Sequence, residues 1–150
     1  MHAILLRVNK MHDFKKLAEI FKAYSYISSA YLFGSCAAEK AGPMSDVDIA
    51  LLLKEPYPKG RELIHEEDYL CYRISRILSI KDIDLIDINN QGLVFQHTIL
   101  RTGKLIYDAD QDFRIKFEAS VISKFCDFEP TLRIIQTYKL QGIKQRLMKV

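Results

Sequence analysis

No stretch of this chain approaches the roughly 18 consecutive apolar residues that a membrane-spanning helix requires. The apolar run nearest its start, residues 3–6, is too short for a secretory leader. Both absences point to a soluble intracellular domain. Cysteine is scarce: Cys36, Cys71 and Cys126 are widely spaced and odd in number, which argues against a disulfide framework and for the reduced thiols of a cytoplasmic protein. The four histidines, His2, His12, His65 and His97, have no zinc-like spacing with one another or with the cysteines. Charge of one sign is also weak. A net charge of +3 is too small a bias to argue for nucleic acid, and Arg133, Lys139, Lys144, Arg146 and Lys149 read as a solvated or frayed basic end. No repeat or low-complexity tract is present. What remains is a chain of 150 residues, 49% of them apolar, enough for one domain to bury a core without disulfides or a structural metal.

Hydrophobic spacing sets out the elements. Residues 1–12 are an N-terminal extension or edge strand. From Asp13, Phe14, Leu17, Ala18, Phe21 and Tyr24 mark one apolar helix face. Residues 26–33 and 47–53 read as buried strands, separated by a turn-prone stretch containing Gly42-Pro43, and residues 55–60 read as a loop. Residues 61–78 have helical periodicity, with Tyr69 and Tyr72 expected to pack, and residues 82–88 alternate as a third strand. A short helix over 93–101 should stop at Gly103, followed by a short strand over 105–107. Two helices are expected to close the chain. The first carries Phe113, Phe117, Val121 and Phe125; the second starts at Pro130, because proline favours the first helical turn. The expected fold is α+β, a small mixed α/β sheet flanked by helices, with a main domain over 13–108 and C-terminal helices over 109–150 packed on it.

The chemistry concentrates in residues 32–53. Gly34 removes a side chain where backbone must approach a ligand closely. Ser35 places a hydroxyl at an expected helix N-terminus, where free N–H groups favour phosphate. Ten residues later comes Asp46-Val47-Asp48. On a strand, positions i and i+2 point to the same side about 6.5 to 7 Å apart, so two carboxylates are held together and repel unless a cation lies between them. Such hard oxygen ligands suit magnesium, which binds one or two carboxylates plus substrate phosphates. A lone Asp-x-Asp is usually a solvated strand end; the joint occurrence of strand, Gly-Ser, ten residues, Asp-x-Asp and strand is far more informative. A third carboxylate is expected from residues 82–88. Asp84, between Ile83 and Leu85, is the first choice, because an aspartate there is costly to bury without a partner or metal. Asp87 is the second, and Asp82 reads as a polar strand end.

These residues resemble the signature of the polymerase-β-like nucleotidyltransferase superfamily. The short length and the segment 84–107 resemble its minimal members, the MNT-domain antitoxins of the MntA type, which are partnered with HEPN-domain toxins of the HepT type. The resemblance covers about residues 13–140. It implies a nucleotidyltransferase sheet with three acidic ligands, two Mg2+ ions and ATP as substrate. The implied reaction is transfer of AMP to a tyrosine of the HEPN toxin, silencing it. Carried onto this chain, Gly34 and Ser35 would hold the triphosphate, Asp46 and Asp48 both metals, and Asp84 the metal that activates the acceptor hydroxyl.

One departure stands out. Many relatives place arginines directly after Gly-Ser, whereas here the residues are Cys36-Ala37-Ala38-Glu39-Lys40, so a cation near the triphosphate is missing unless Lys40 supplies it. Cys36 reads as a small packing residue. The competing readings are a non-enzymatic antitoxin that neutralises its partner by occlusion, and a nucleotidyltransferase acting on a small molecule or RNA. Relatives of the latter kind usually carry an acceptor-binding domain that this length does not provide.

Overall fold

Two strands are apolar enough to be buried on both faces, and the sheet grows around them. β1 (Ile27–Phe33) pairs antiparallel with β2 (Val47–Leu53), and nearly every residue of both is buried. β3 (Ile83–Asp87) joins β2 in parallel and β4 (Lys104–Asp108) joins β1 antiparallel, giving the order β3-β2-β1-β4. A parallel neighbour needs a crossover, supplied here by α3 (Arg61–Leu78). The computed structural model describes residues 15–37 and 46–148, with the backbone alone at Ser35 and Cys36. The expected N-terminal extension, Asp13, Phe14, Lys40 and the Gly42-Pro43 turn lie outside the described residues.

Strand alternation divides the apolar side chains between two helical layers. On one face, Val47, Ile49, Leu51 and Leu53 pack with Leu17, Ile20 and Phe21 of α1 (residues 15–21) and with Leu70 and Ile74 of α3. On the other, Tyr31, Ala50 and Leu52 pack with Ile99 of α4 (Leu93–Thr102) and with Phe113 and Phe117 of α5 (Gln111–Leu147). This is a mixed α+β sheet flanked by helices, as expected. Tyr69 and Tyr72 do not pack; both are exposed, because the buried side of α3 runs through Leu70 and Ile74. Among the described residues no helix is long and apolar enough to cross a membrane.

The C-terminal region departs most from expectation. In place of two helices, α5 runs unbroken for 37 residues with Pro130 inside it. Proline cannot donate to the Cys126 carbonyl one turn earlier, and such a loss normally breaks a helix. Here the affected turn is largely exposed, so water can satisfy that carbonyl. The first half of α5 is fixed to the sheet. Asp110 accepts from the Phe113 amide and pairs with Lys54, the Tyr31 hydroxyl donates to Glu118 (2.8 Å), and Arg114 bridges Asp108 (2.9 Å) and Glu118 (3.1 Å). His97 of α4 stacks flat on Phe125 with ring centroids 3.6 Å apart. Beyond Pro130 the side chains are mostly exposed, so this half is not packed on the domain as expected. An interior proline costs a helix about 3 kcal/mol relative to alanine. Pro130→Ala should therefore slow amide hydrogen exchange across residues 126–147 at least about tenfold, with little change in the global unfolding midpoint. Exchange as fast as in the parent protein would mean that Pro130 is not the weak point of α5.

Candidate active site

The topology brings the sequence-nominated residues to one end of the sheet. β1 ends there, and β2 and β3, being parallel, both begin there. Asp46 directly precedes β2, and the next residue, Val47, donates its amide to the Asp82 carbonyl (3.1 Å). Asp48 is the register partner of Asp84 across the β2–β3 pair, and of Phe33 across the β1–β2 pair. Asp48 and Asp84 share the sheet face of Ala50 and Ile86, which is covered further along by α4 and α5. Asp46 and Asp84 are exposed and Asp48 is half-buried. Burial, and after it the neighbouring charges of Asp84 and Asp46, pushes the Asp48 carboxyl above the ordinary carboxylate range.

Asp87 has a different role. It shares the opposite face with Ile83 and Leu85 and is buried. Its carboxylate accepts from the Asn89 amide (2.8 Å) and the Asn90 side chain (2.6 Å), which closes the 3₁₀ turn Ile88–Asn90. Asn89 in turn bonds both backbone groups of Leu53. Burial raises Asp87 while these hydrogen bonds lower it. Asp87 is thus held inside the fold, away from Asp48 and Asp84, and Asp82 is an exposed residue just outside β3.

Gly34 opens α2 (Gly34–Ala37) at φ +68°, a conformation that side-chain-bearing residues rarely adopt. A Cβ built there would lie 2.1 Å from Oδ2 of Asp48. The sequence suggested a glycine that lets backbone approach a ligand; the structure shows one that lets the Asp48 carboxylate lie against the turn. In this arrangement no group of three His, Cys, Asp or Glu side chains among the described residues converges closely enough to hold one ion. Carboxylates at close quarters spread apart unless a cation lies between them. Asp46, Asp48 and Asp84, as oxygen donors at one sheet end with mutual repulsion, therefore fit a hard divalent cation. Phe95, in the first turn of α4, is a feature the sequence reading passed over; its ring meets Phe33 edge-on at 5.8 Å.

The comparisons bear on the family and the fold. The family described as polymerase beta, nucleotidyltransferase matches residues 15–112. Protein adenylyltransferase MntA of Aphanizomenon flos-aquae (strain 2012/KM1/D3) is 26% identical over 130 residues, 83% of each chain. A crystal structure of a toxin–antitoxin with AMP-PNP superposes with TM-score 0.64 at 22% identity, covering 86% of this chain and 97% of the other. A structure of tri-AMPylated Shewanella oneidensis HEPN toxin in complex with MNT antitoxin gives TM-score 0.60 at 21% identity, covering 90% and 98%.

Two outcomes follow for the isolated protein. Gly34→Ala should destabilise it by about 1–3 kcal/mol, the range for a strained backbone position, and should displace the Asp48 carboxylate; an unchanged thermal midpoint would contradict the close approach. Asp48 titrates higher folded than unfolded, so its charge is destabilising once the pH exceeds its folded pKa. The penalty disappears as the pH falls below the unfolded value. Asp48→Asn should therefore raise the thermal midpoint at pH 7 without divalent cations, and the gain should vanish below about pH 3.5, under the ordinary aspartate range. A lowered midpoint at pH 7 would reverse the sign.

Proposed function

The chain belongs to the polymerase beta nucleotidyltransferase family, and from that premise we propose that it is an AMP-transferring antitoxin acting on a tyrosine of a HEPN-type toxin. The tyrosine oxygen bonds to the α-phosphorus of ATP, the bond between the α-phosphorus and its bridging oxygen breaks, pyrophosphate leaves, and the phenolic proton passes to solvent. The reading rests on one observation: Asp48 and Asp84 face each other in register at the sheet end where Gly34 closes β1. The name of the Aphanizomenon relative and the AMPylated toxin of the Shewanella complex support the acceptor class, and the AMP-PNP complex supports ATP as donor.

Gly34 and Ser35 would hold the triphosphate at the start of α2. Asp46 and Asp48 would hold two Mg2+ ions, and Asp84 would help hold the one that activates the acceptor hydroxyl. Bound there, the ions would lower the pKa of the acceptor hydroxyl and stabilise the leaving pyrophosphate. Asp84 is preferred over Asp87 because it shares the face of Asp48, whereas Asp87 is spent on the turn after β3. A cytoplasmic setting is supported by the free thiols Cys71 and Cys126. Occlusion without transfer is the competing reading, favoured by the absence of arginine from residues 36–40.

Intact-mass spectrometry separates the two. With ATP and Mg2+, the wild-type protein should add one or more AMP units to its toxin. Asp84→Asn should slow that transfer at least about a hundredfold while still binding the toxin. A toxin that is inhibited but never gains mass would establish occlusion. Full transfer by Asp84→Asn would remove Asp84 from the site.

A further inference from the structure

Apolar residues recur along α5 on the side of Val121, with the basic Lys139 and Arg146 set among them. At 3.6 residues per turn, Phe125, Phe128, Leu132, Ile135 and Ile143 all fall within about 40° of the direction of Val121, which is buried against the domain. Near the domain the stripe is covered, Phe125 by His97. Past Pro130 it is bare: Ile135 and Ile143 are 42% and 53% exposed, and Leu147, a little further round, is 72% exposed. Past Pro130 the same side also carries Lys139, in line with Val121, and Arg146, about 20° from it, so the bare face mixes apolar and basic side chains, a composition that marks a place where something binds.

The domain end of the stripe fixes what that something is. There it opens into a shallow apolar pocket lined by Gly92, Leu93, Val94, Phe95 and Phe128. The Phe95 ring meets Phe33, which directly precedes Gly34 and is the register partner of Asp48. The strip therefore starts beside the carboxylates and leads outward along α5. No polar side chain lines the pocket, so a nucleobase would leave its edge unpaired there. Between Pro130 and Met148 lie Arg133, Lys139, Lys144 and Arg146 and no acidic residue. Two copies of this segment lying together would repel, whereas an acid-rimmed surface would be attracted.

Granted the protein acceptor proposed above, we infer that this strip is where the acceptor docks, through an apolar face rimmed by acidic residues that brings its tyrosine to the Asp48–Asp84 end of the sheet. Ile135 and Ile143 are the central contacts, and Lys139 and Arg146, on the same side of the helix, supply the attraction.

The test measures KM for the toxin, the affinity for AMP-PNP, and complex formation by size exclusion, for wild type, Ile135→Asp, Ile143→Asp and the charge-reversed Lys139→Glu/Arg146→Glu double variant. The last leaves every apolar side chain of α5 in place, so it reads docking even if a substitution of one of them disturbs the helix. Each variant should raise KM for the toxin at least tenfold, leave AMP-PNP affinity unchanged and retain helicity by circular dichroism. The charge-reversed pair should also weaken the dependence of complex formation on salt. An unchanged KM across all variants overturns the docking surface and leaves the transfer reaction standing. Wild type that dimerises alone, with variants that are monomeric and have unchanged KM, overturns it in favour of self-association. If wild type fails to transfer AMP, the reaction fails instead; complex formation then decides the surface, which survives if Ile143→Asp no longer binds the toxin and falls if it does.

Discussion

The parallel pairing of β2 with β3 is the constraint on which the rest of the molecule depends. Because both strands start at the same sheet end, residues from two distant parts of the chain, Asp46-Val47-Asp48 and Asp84, arrive together there. The register is held by burial on both faces: a slip of one residue would turn Asp48 into the layer of Val47, Ile49 and Leu51 and expose those residues to the wrong side. Asp48 itself is tolerable only because it stands near the first residue of β2, where the covering helices leave it half-buried. A charge in the middle of that strand would have no compensation.

The same constraint separates two aspartates three residues apart. Asp84 and Asp87 lie on opposite faces of β3 by simple alternation, and each face assigns a different task. On one, Asp84 pairs in register with Asp48, whose ionisation is opposed by burial and then by the charges of Asp84 and Asp46. On the other, Asp87 receives the donors of Asn89 and Asn90 and fastens the chain end of β3 to Leu53 through Asn89. Gly34 belongs to the first group, since its missing Cβ is the space that the Asp48 carboxylate fills. Strain at the turn and the acidity of Asp48 are thus linked through a few atoms.

Much of this was legible in the sequence, because it follows from period and composition. The bounds of β2 and α3 fell where apolar alternation and helical spacing put them, and the preference for Asp84 rested on its central place between Ile83 and Leu85. What was not legible depends on environment. Pro130 looks like a helix start because proline favours the first turn, and only the exposure of its neighbourhood lets α5 continue through it. Tyr69 and Tyr72 look like packing residues until the orientation of α3 is known. The link from Tyr31 through Glu118 and Arg114 to Asp108 joins residues far apart in the chain that carry no local pattern. Phe95 drew no attention because its meaning comes from meeting Phe33, the register partner of Asp48, and from lining an open apolar pocket.

The central claim is that Asp46, Asp48 and Asp84 form one cation-dependent nucleotide site, in which metal and triphosphate need each other. Calorimetric titration of AMP-PNP into the protein, once with Mg2+ and once with chelator, tests it most directly. Coupling free energies between linked ligands typically correspond to about 5- to 150-fold in affinity. The account predicts at least tenfold tighter binding with Mg2+, and loss of that gain in a folded Asp48→Ala protein. Equal affinity with and without Mg2+, or a gain that survives Asp48→Ala, would contradict it.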